Sequence, residues 1–308
     1  MTSSIIDPTA NARVRSLGYL RVDATDLDAW VRYASDLLGL QVSTRTDDVV
    51  EFRMDQKEYR LAVRKADQDA LTAVGWEVGG PQELDAIVTR LADSGYQVHP
   101  LAKAECKERR ISGGVRFRDP DDIFDIELHY ALQESFLAFS SPTGAEFVTG
   151  LGGLGHIFQF VQDEKTYHHL YFDLLGFTLS DYVDGGPNRE VELKFLHCNP
   201  RHHSYAFGHV DGVAPAVGHV MFEVTKVDVV GRAWDKVLMR GAAPIVQTLG
   251  MHTNDKTISF YAGTPAGFAV EYGTGGILID DATWTPTRYP GAHYWGHARQ
   301  KKPSTTNA

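Results

Sequence analysis

Two stretches of the chain repeat the same pattern of residues. Residues 18–40 and residues 155–177 align without a gap at an offset of 137. Each stretch reads as a strand, a break that contains aspartate, an amphipathic helix and a glycine, Gly39 or Gly176, that can end the helix in a left-handed conformation. The chain is therefore an internal duplication, and both halves are expected to share one architecture.

A second unit recurs inside each half. Segments 77–95 and 223–241 each read as the end of an apolar strand followed by a helix that a glycine closes, at an offset of 146. Strand candidates follow both helices and include Glu127 in the first half and Glu271 in the second. The four units begin near residues 18, 73, 155 and 218. Such units must pair to bury their open sheet faces, which predicts an α+β fold.

Composition narrows the classes of function. The chain has 308 residues, 43% of them hydrophobic, which is enough core material for one large domain or two ordinary ones. A formal charge of −10 and the lack of a basic run argue against a nucleic-acid partner. No apolar run approaches about eighteen residues and no leader follows Met1, so we expect no membrane insertion and a cytoplasmic location. Cys106 and Cys198 form no disulfide framework and suit a reducing compartment.

Histidine is distributed unevenly between the halves. Of 13 histidines, only His99 and His129 precede residue 156. The position of His156 is occupied by Tyr19 in the first half. Because a carboxylate without imidazoles is a poor transition-metal site, we expect the first half to be metal-free and structural.

Three residues of the second half suggest a metal centre. His156, His219 and Glu271 each fall on a predicted strand of a paired unit. Two histidines and one carboxylate with open coordination positions are typical of non-haem Fe(II) oxygenases. Tetrahedral zinc with the same ligands, as in hydrolases, is the alternative.

The stretch 250–271 concentrates reactive side chains. It reads as two strands joined by a turn at 264–267, which would place Tyr261 beside Glu271. The spacing of His252, Tyr261, the Thr-Pro-x-Gly turn and Glu271 resembles the signature of the type I extradiol catechol dioxygenases, and especially of those that cleave 2,3-dihydroxybiphenyl and related bicyclic catechols. Further similar segments are 153–156, 195–203, 218–224 and 295–297.

The resemblance implies a fold, a cofactor and a set of site residues. The fold would be four βαβββ modules of the vicinal oxygen chelate type, in two similar domains at residues 1–140 and 145–308. The protein would be a homo-oligomer that binds a small aromatic catechol, with Fe(II) or alternatively Mn(II) as the metal and O2 as co-substrate. The implied metal ligands are His156, His219 and Glu271. The implied catalytic residues are His203, His252 and Tyr261. The residues expected to bind substrate are Phe158, Phe195, Ala206, Asn254 and Asp255.

Two of these assignments depend on the resemblance more than on the residues themselves. A strand points only one of His202 and His203 inward, and the family pattern selects His203 as the residue that takes a catechol proton. Asn254 and Asp255 are expected to hold His252 or to line a water channel.

Several alternatives for the function stay open. The small Ala206 leaves space for a second ring on a 3-substituted catechol, whereas Arg189 could attract a monocyclic, carboxylated one. A glyoxalase-like isomerase or lyase would share the fold and a metal. A metal-free binding module would keep the units but lose the ligands, and the presence of His156, His219 and Glu271 argues against it.

Overall fold

Each half of the chain forms one mixed sheet. The computed structural model describes residues 11–186, 188 and 190–300. The strands of the first half are β1 (Val14–Ala24), β2 (Gln41–Arg45), β3 (Val49–Arg53), β4 (Leu61–Lys65), β5 (Ala70–Val78), β6 (His99–Pro100), β7 (Gly113–Arg118) and β8 (Asp125–Tyr130). Those of the second half are β9 (His156–Phe160), β10 (Thr178–Gly185), β11 (Val191–His197), β12 (Tyr205–Gly208), β13 (Ala216–Glu223), β14 (Ile245–His252), β15 (Ile258–Gly263), β16 (Ala269–Thr274), β17 (Thr287–Tyr289) and β18 (His293–Trp295).

The strand pairing confirms four βαβββ units. In the first sheet β1 runs parallel to β4 and β5 runs parallel to β8, and the two units join where β1 runs antiparallel to β5. The second sheet repeats this arrangement with β9 and β12, β13 and β16, and an antiparallel β9–β13 junction. The short strands β17 and β18 extend its two edges. The α+β fold predicted from the repeats is therefore confirmed.

The first helix of each half begins and ends in the same way. The side chains of Asp26 and Asp163 cap the two helices by accepting backbone N–H groups of the first turn. Both helices end at the predicted glycines, Gly39 and Gly176, which have positive φ angles of 84° and 76°. The α-helices are α1 (Leu27–Val31), α2 (Pro81–Asp93), α3 (Lys103–Glu108), α4 (Glu164–His168) and α5 (Val227–Arg240). A π-helical turn continues α1 and α4, at Arg32–Leu37 and His169–Leu174.

One continuous apolar core joins the halves. Its buried residues come from both sheets and from the helices of both halves. The Tyr33 hydroxyl donates to the Ala262 carbonyl at 3.0 Å, and the Tyr272 hydroxyl donates to the Leu38 carbonyl at 2.8 Å. The division into two domains stays a prediction, although its boundary near residue 140 falls between β8 and β9. In the described part of the chain, no helix is long and apolar enough to cross a membrane.

Candidate active site

Three adjacent strands bring the predicted metal ligands together. His156 begins β9, His219 lies on β13 and Glu271 lies on β16. Met221 is the register partner of both His156 and Glu271, and His219 lies two residues before it on the same face of the sheet. The Nε2 atom of His156 is 3.2 Å from Nε2 of His219 and 3.1 Å from Oε2 of Glu271. One ligand atom from each residue lies within 4.8 Å of the other two.

The charges in this cluster fit a divalent cation. Glu271 is only 1% exposed, and a buried carboxylate is costly without a cation or donors. Burial raises its pKa, but hydrogen bonds from His156, His219 and His252 outweigh burial and hold the pKa well below its usual range. Burial lowers the pKa of His156 to about 4, so its neutral ring can offer a lone pair at pH 7. Two imidazoles and one carboxylate therefore form a suitable ligand set.

His252 and Tyr261 lie directly beside Glu271. Tyr261 is the cross-strand partner of Glu271, which confirms the predicted hairpin. The Nε2 atom of His252 is 2.8 Å from the Tyr261 hydroxyl and 3.2 Å from Oε1 of Glu271. In the metal-free protein, burial lowers the pKa of His252 but hydrogen bonding and attraction to Glu271 prevail and raise it to about 9. Burial and the neighbouring Glu271 raise the pKa of Tyr261 well above its usual value, so its hydroxyl stays protonated.

His203, rather than its neighbour His202, faces the metal ligands. The His203 ring lies 3.9 Å from the His156 ring, centroid to centroid. His202 points elsewhere, with its Nε2 2.7 Å from Oδ2 of Asp181. Burial, followed by the proximity of the His156 and His202 rings, lowers the pKa of His203 well below its usual value. The His203 ring is therefore neutral.

The three apolar residues expected at the substrate site form a row across the sheet. Ala206 pairs with Phe158 on one side and with Phe195 on the other, so all three side chains share one face. Phe158 stacks on the His219 ring at 5.3 Å with an interplanar angle of 8°, and Phe195 meets the His203 ring edge-on at 4.9 Å. The row thus borders both a predicted ligand and the predicted proton acceptor.

Asp255 lies beside His203. Its Oδ2 is 3.8 Å from Nδ1 of His203, while its Oδ1 accepts the N–H of Thr257 at 3.0 Å. That Asn254 and Asp255 hold His252 or line a water channel stays a prediction, and the Asp255 carboxylate lies close enough to His203 to stabilise its protonated ring. Asn254 is buried, and within the described residues its amide nitrogen has no hydrogen-bond partner. Arg189 lies outside the described residues.

A cavity of 340 Å³ lies beside His203 and is also lined by Asp255. Its inner wall includes His156, His203 and Met221, and its outer wall includes Leu151 and Leu278, which are 80% and 69% exposed. None of the three residues of the apolar row belongs to this wall. The cavity therefore gives small molecules a path from the surface to His203.

Glu127, which corresponds to Glu271 in the first half, has different hydrogen-bond partners. Glu127 is fully buried and accepts hydrogen bonds from the Arg109 guanidinium at 2.7 to 3.0 Å and from the Tyr19 hydroxyl at 2.5 Å. Tyr19 stands where His156 stands in the second half. A guanidinium and a phenol thus neutralise and bind Glu127, whereas Glu271 faces imidazoles.

Sequence reasoning missed two residues behind Glu271. The Ser259 hydroxyl donates to Oε1 of Glu271 at 2.6 Å, and the His297 ring nitrogen Nε2 lies 3.0 Å from the Ser259 carbonyl oxygen. Strand alternation could have revealed Ser259, because it lies two residues before Tyr261 on the same face. His297 belongs to the similar segment 295–297, but no local pattern in the sequence connects the tail to β15.

Comparison with known families agrees with this geometry. Residues 17–65 match the family model described as Dihydroxybiphenyl dioxygenase BphC D1. Residues 153–272 match that of the Glyoxalase/Bleomycin resistance protein/Dioxygenase superfamily. The second match spans all three predicted metal ligands.

Similar proteins cover nearly the whole chain. A biphenyl-2,3-diol 1,2-dioxygenase of Metapseudomonas furukawaii is 36% identical over 288 residues, which is 92% of this chain and 93% of that protein. A 3-methylcatechol 2,3-dioxygenase of Pseudomonas putida is 36% identical over 93% of this chain and 98% of its own length. The crystal structure of a halotolerant catechol dioxygenase superposes with a TM-score of 0.86 at 33% identity, covering 94% of this chain and 95% of that one. The chain therefore belongs to the type I extradiol catechol dioxygenases of the vicinal oxygen chelate superfamily.

Proposed function

We propose that this extradiol dioxygenase opens the ring of a 3-substituted or bicyclic catechol such as 2,3-dihydroxybiphenyl, using Fe(II) held by His156, His219 and Glu271. The observation that carries the proposal is the convergence of these three ligands, within 4.8 Å, next to His203 and His252. When bound, Fe(II) supplies a common site at which catechol and O2 can react. Mn(II), which the same ligands accept, is the alternative metal.

His203 is the proposed acceptor of a catechol proton. Its ring is neutral because burial lowers its pKa, and it borders both His156 and Phe195. A positioned base of this kind is worth about 10²–10⁴-fold in rate. Asp255, 3.8 Å away, stabilises the imidazolium that forms. The adjoining cavity offers the proton a route to solvent.

His252 and Tyr261 are the proposed donors to a deprotonated catechol oxygen. In the metal-free protein, the pKa of about 9 gives His252 an N–H at both ring nitrogens at pH 7. One of these, on Nε2, lies within 2.8 Å of the Tyr261 hydroxyl. Tyr261 is buried and His252 is half-buried, and donors that are shielded from water stabilise developing negative charge strongly.

The apolar row supports a substrate with a bulky substituent. Phe158 and Phe195 flank the small, fully buried Ala206, so an aromatic or alkyl group would meet two rings and a methyl group. The similar proteins named for biphenyl-2,3-diol and 3-methylcatechol both act on 3-substituted catechols, which agrees with this choice. A monocyclic catechol such as a 3-alkylcatechol is the alternative within the same chemistry.

Oxygen consumption tests the proposal most directly. The protein is purified anaerobically with Fe(II) and assayed with an oxygen electrode and by visible absorbance, using 2,3-dihydroxybiphenyl and unsubstituted catechol. We expect one O2 to be consumed per catechol cleaved and a yellow product to form. The reaction should be faster with the bicyclic substrate and absent in His219→Ala. His169→Ala, which removes an exposed helical histidine, is the matched control and should behave like the parent. One bound metal per chain without oxygen uptake on any catechol would overturn the proposal and favour an isomerase.

Compartment and assembly are part of the same proposal. Both cysteines, Cys106 and Cys198, are free thiols, which suits the reducing cytoplasm. We also propose a homo-oligomer, which size-exclusion chromatography with light scattering would test. A monomer at micromolar concentration would contradict it.

A further inference from the structure

We infer that His252, His293 and His297 form a second cation site, suited to Zn(II), next to the proposed iron centre. One ring nitrogen from each of the three histidines lies within 4.8 Å of the other two. The set shares no residue with His156, His219 and Glu271. It goes beyond the proposed function, because its occupancy can be measured whether or not the chain cleaves catechols.

The fold brings the three imidazoles together from distant parts of the sequence. The edge strand β18 pairs antiparallel with β14, and this pairing sets His293 opposite His252. His297 follows two residues after β18. The Nδ1 atoms of His293 and His297 lie 3.1 Å apart, and the His252 ring centroid is 4.3 Å from that of His297 and 5.6 Å from that of His293.

The hydrogen bonds around the cluster show which atoms can bind a cation. Nε2 of His297 lies 3.0 Å from the Ser259 carbonyl oxygen, which only accepts, so Nε2 carries the proton and the Nδ1 lone pair faces His293. By the same rule Nδ1 of His252, 3.0 Å from the Ala292 carbonyl oxygen, carries a proton in the metal-free protein. A cation at this site would displace that proton and take the Ala292 carbonyl as an additional oxygen ligand, while Nε2 of His252 keeps its N–H towards Tyr261.

The donor set favours a particular class of ion. Three imidazoles and one neutral oxygen suit Zn(II), and N-rich sites bind Zn(II), Ni(II) and Cu(II) more tightly than Fe(II). Fe(II) instead has the carboxylate-containing set around Glu271. His293 is exposed and gives the ion access, whereas His297 is 2% exposed and held in place by Ser259.

The competing explanation is that the three rings only fasten the tail to β14 through shared protons. The number of zinc ions bound per chain distinguishes a cation site from such a purely structural cluster. The Fe(II)-loaded protein is incubated anaerobically with Zn(II), desalted, and analysed for both metals by plasma mass spectrometry. We expect one zinc per chain in addition to the iron. His293→Ala should lose that zinc and keep its iron, while His168→Ala, which removes a different exposed histidine, should retain both metals.

Three outcomes would overturn the inference. They are the loss of zinc on desalting, equal retention of zinc by His293→Ala, and uptake of zinc only as iron leaves, which would mean exchange at the iron centre. Failure of the proposed function would look different, because the chain would then bind zinc through His293 without consuming oxygen.

Discussion

His252 and Glu271 are joined by a 3.2 Å contact between Nε2 of the ring and Oε1 of the carboxylate. The other oxygen, Oε2, faces His156 at 3.1 Å. Glu271 therefore divides its two oxygens between a proposed metal ligand and a proposed catalytic residue. A change at this one carboxylate is expected to disturb metal binding and substrate binding together.

The two corresponding glutamates should respond differently to the same substitution. Glu271→Gln removes the only anion of the proposed ligand set, so iron affinity should fall by more than the roughly 10–100-fold cost of losing a residue that merely orients a ligand. Glu127→Gln should keep its iron but lose about 3–5 kcal/mol of stability, because it leaves the buried Arg109 guanidinium without its anion. Iron analysis and urea unfolding of both variants measure these effects. Equal iron contents would contradict the prediction.

His203→Gln should separate binding from turnover. Gln can occupy the space between His156 and Phe195 but cannot accept a proton, so kcat should fall about 10²–10⁴-fold. Iron content and anaerobic catechol binding, followed by absorbance titration, should stay close to the parent values. Loss of iron in this variant would instead make His203 a structural support for His156.

Ala206 should control the preference between large and small catechols. Ala206→Phe adds a ring between Phe158 and Phe195, which should lower kcat/KM for 2,3-dihydroxybiphenyl relative to catechol by about 10–200-fold. Because overpacking a core costs about 1–3 kcal/mol, thermal unfolding is measured in parallel. Ala206→Gly is the control and should keep the parent preference. If both substrates are affected equally in a stable variant, the second ring lies elsewhere.

His129 should make the first half sensitive to acid. Burial lowers the pKa of His129 to about 3, and both of its ring nitrogens lack hydrogen-bond partners among the described residues. In the unfolded chain the pKa of His129 is about 6.5, so on acidification the unfolded chain binds this proton before the folded one does. The stability that the neutral His129 contributes is therefore fully present above about pH 6.5. It is lost as the pH falls towards 3, by about 1.4 kcal/mol per pH unit.

His129→Phe removes that proton linkage and keeps a ring against Tyr19, which lies 4.7 Å away, centroid to centroid. Urea unfolding between pH 7 and pH 5 should show a flatter loss of stability than in the parent protein. His99→Gln, which changes an exposed histidine of the same half, should leave the slope unchanged. An identical slope in His129→Phe would mean that another group governs acid stability.

Local and repeated features could be predicted from the sequence, whereas tail contacts could not. The turn between β15 and β16 spans few residues, so the turn residues were enough to predict that Tyr261 lies opposite Glu271. Alignment of the two halves located His156 as the counterpart of Tyr19. In contrast, the contact between Ser259 and His297 joins residues 38 positions apart, and no periodicity encodes it. The sequence also does not predict the π-helical turns after α1 and α4, since amphipathic spacing alone does not distinguish a π turn from a continued α-helix.

The cation that neutralises the buried Glu127 of the first half is Arg109, a permanent part of the chain, whereas the cation proposed beside Glu271 in the second half can be lost and replaced. An organic cation that is part of the polypeptide cannot be oxidised away, chelated or diluted out, so the first sheet does not depend on the supply of metal. The second sheet has its buried carboxylate in contact with imidazoles, an arrangement that can exchange its ion. Because the apolar core is continuous between the two sheets, we expect the second sheet to stay folded when it lacks metal. We therefore expect that protein inactivated by loss of the proposed iron regains its activity when Fe(II) is added back, without unfolding and refolding.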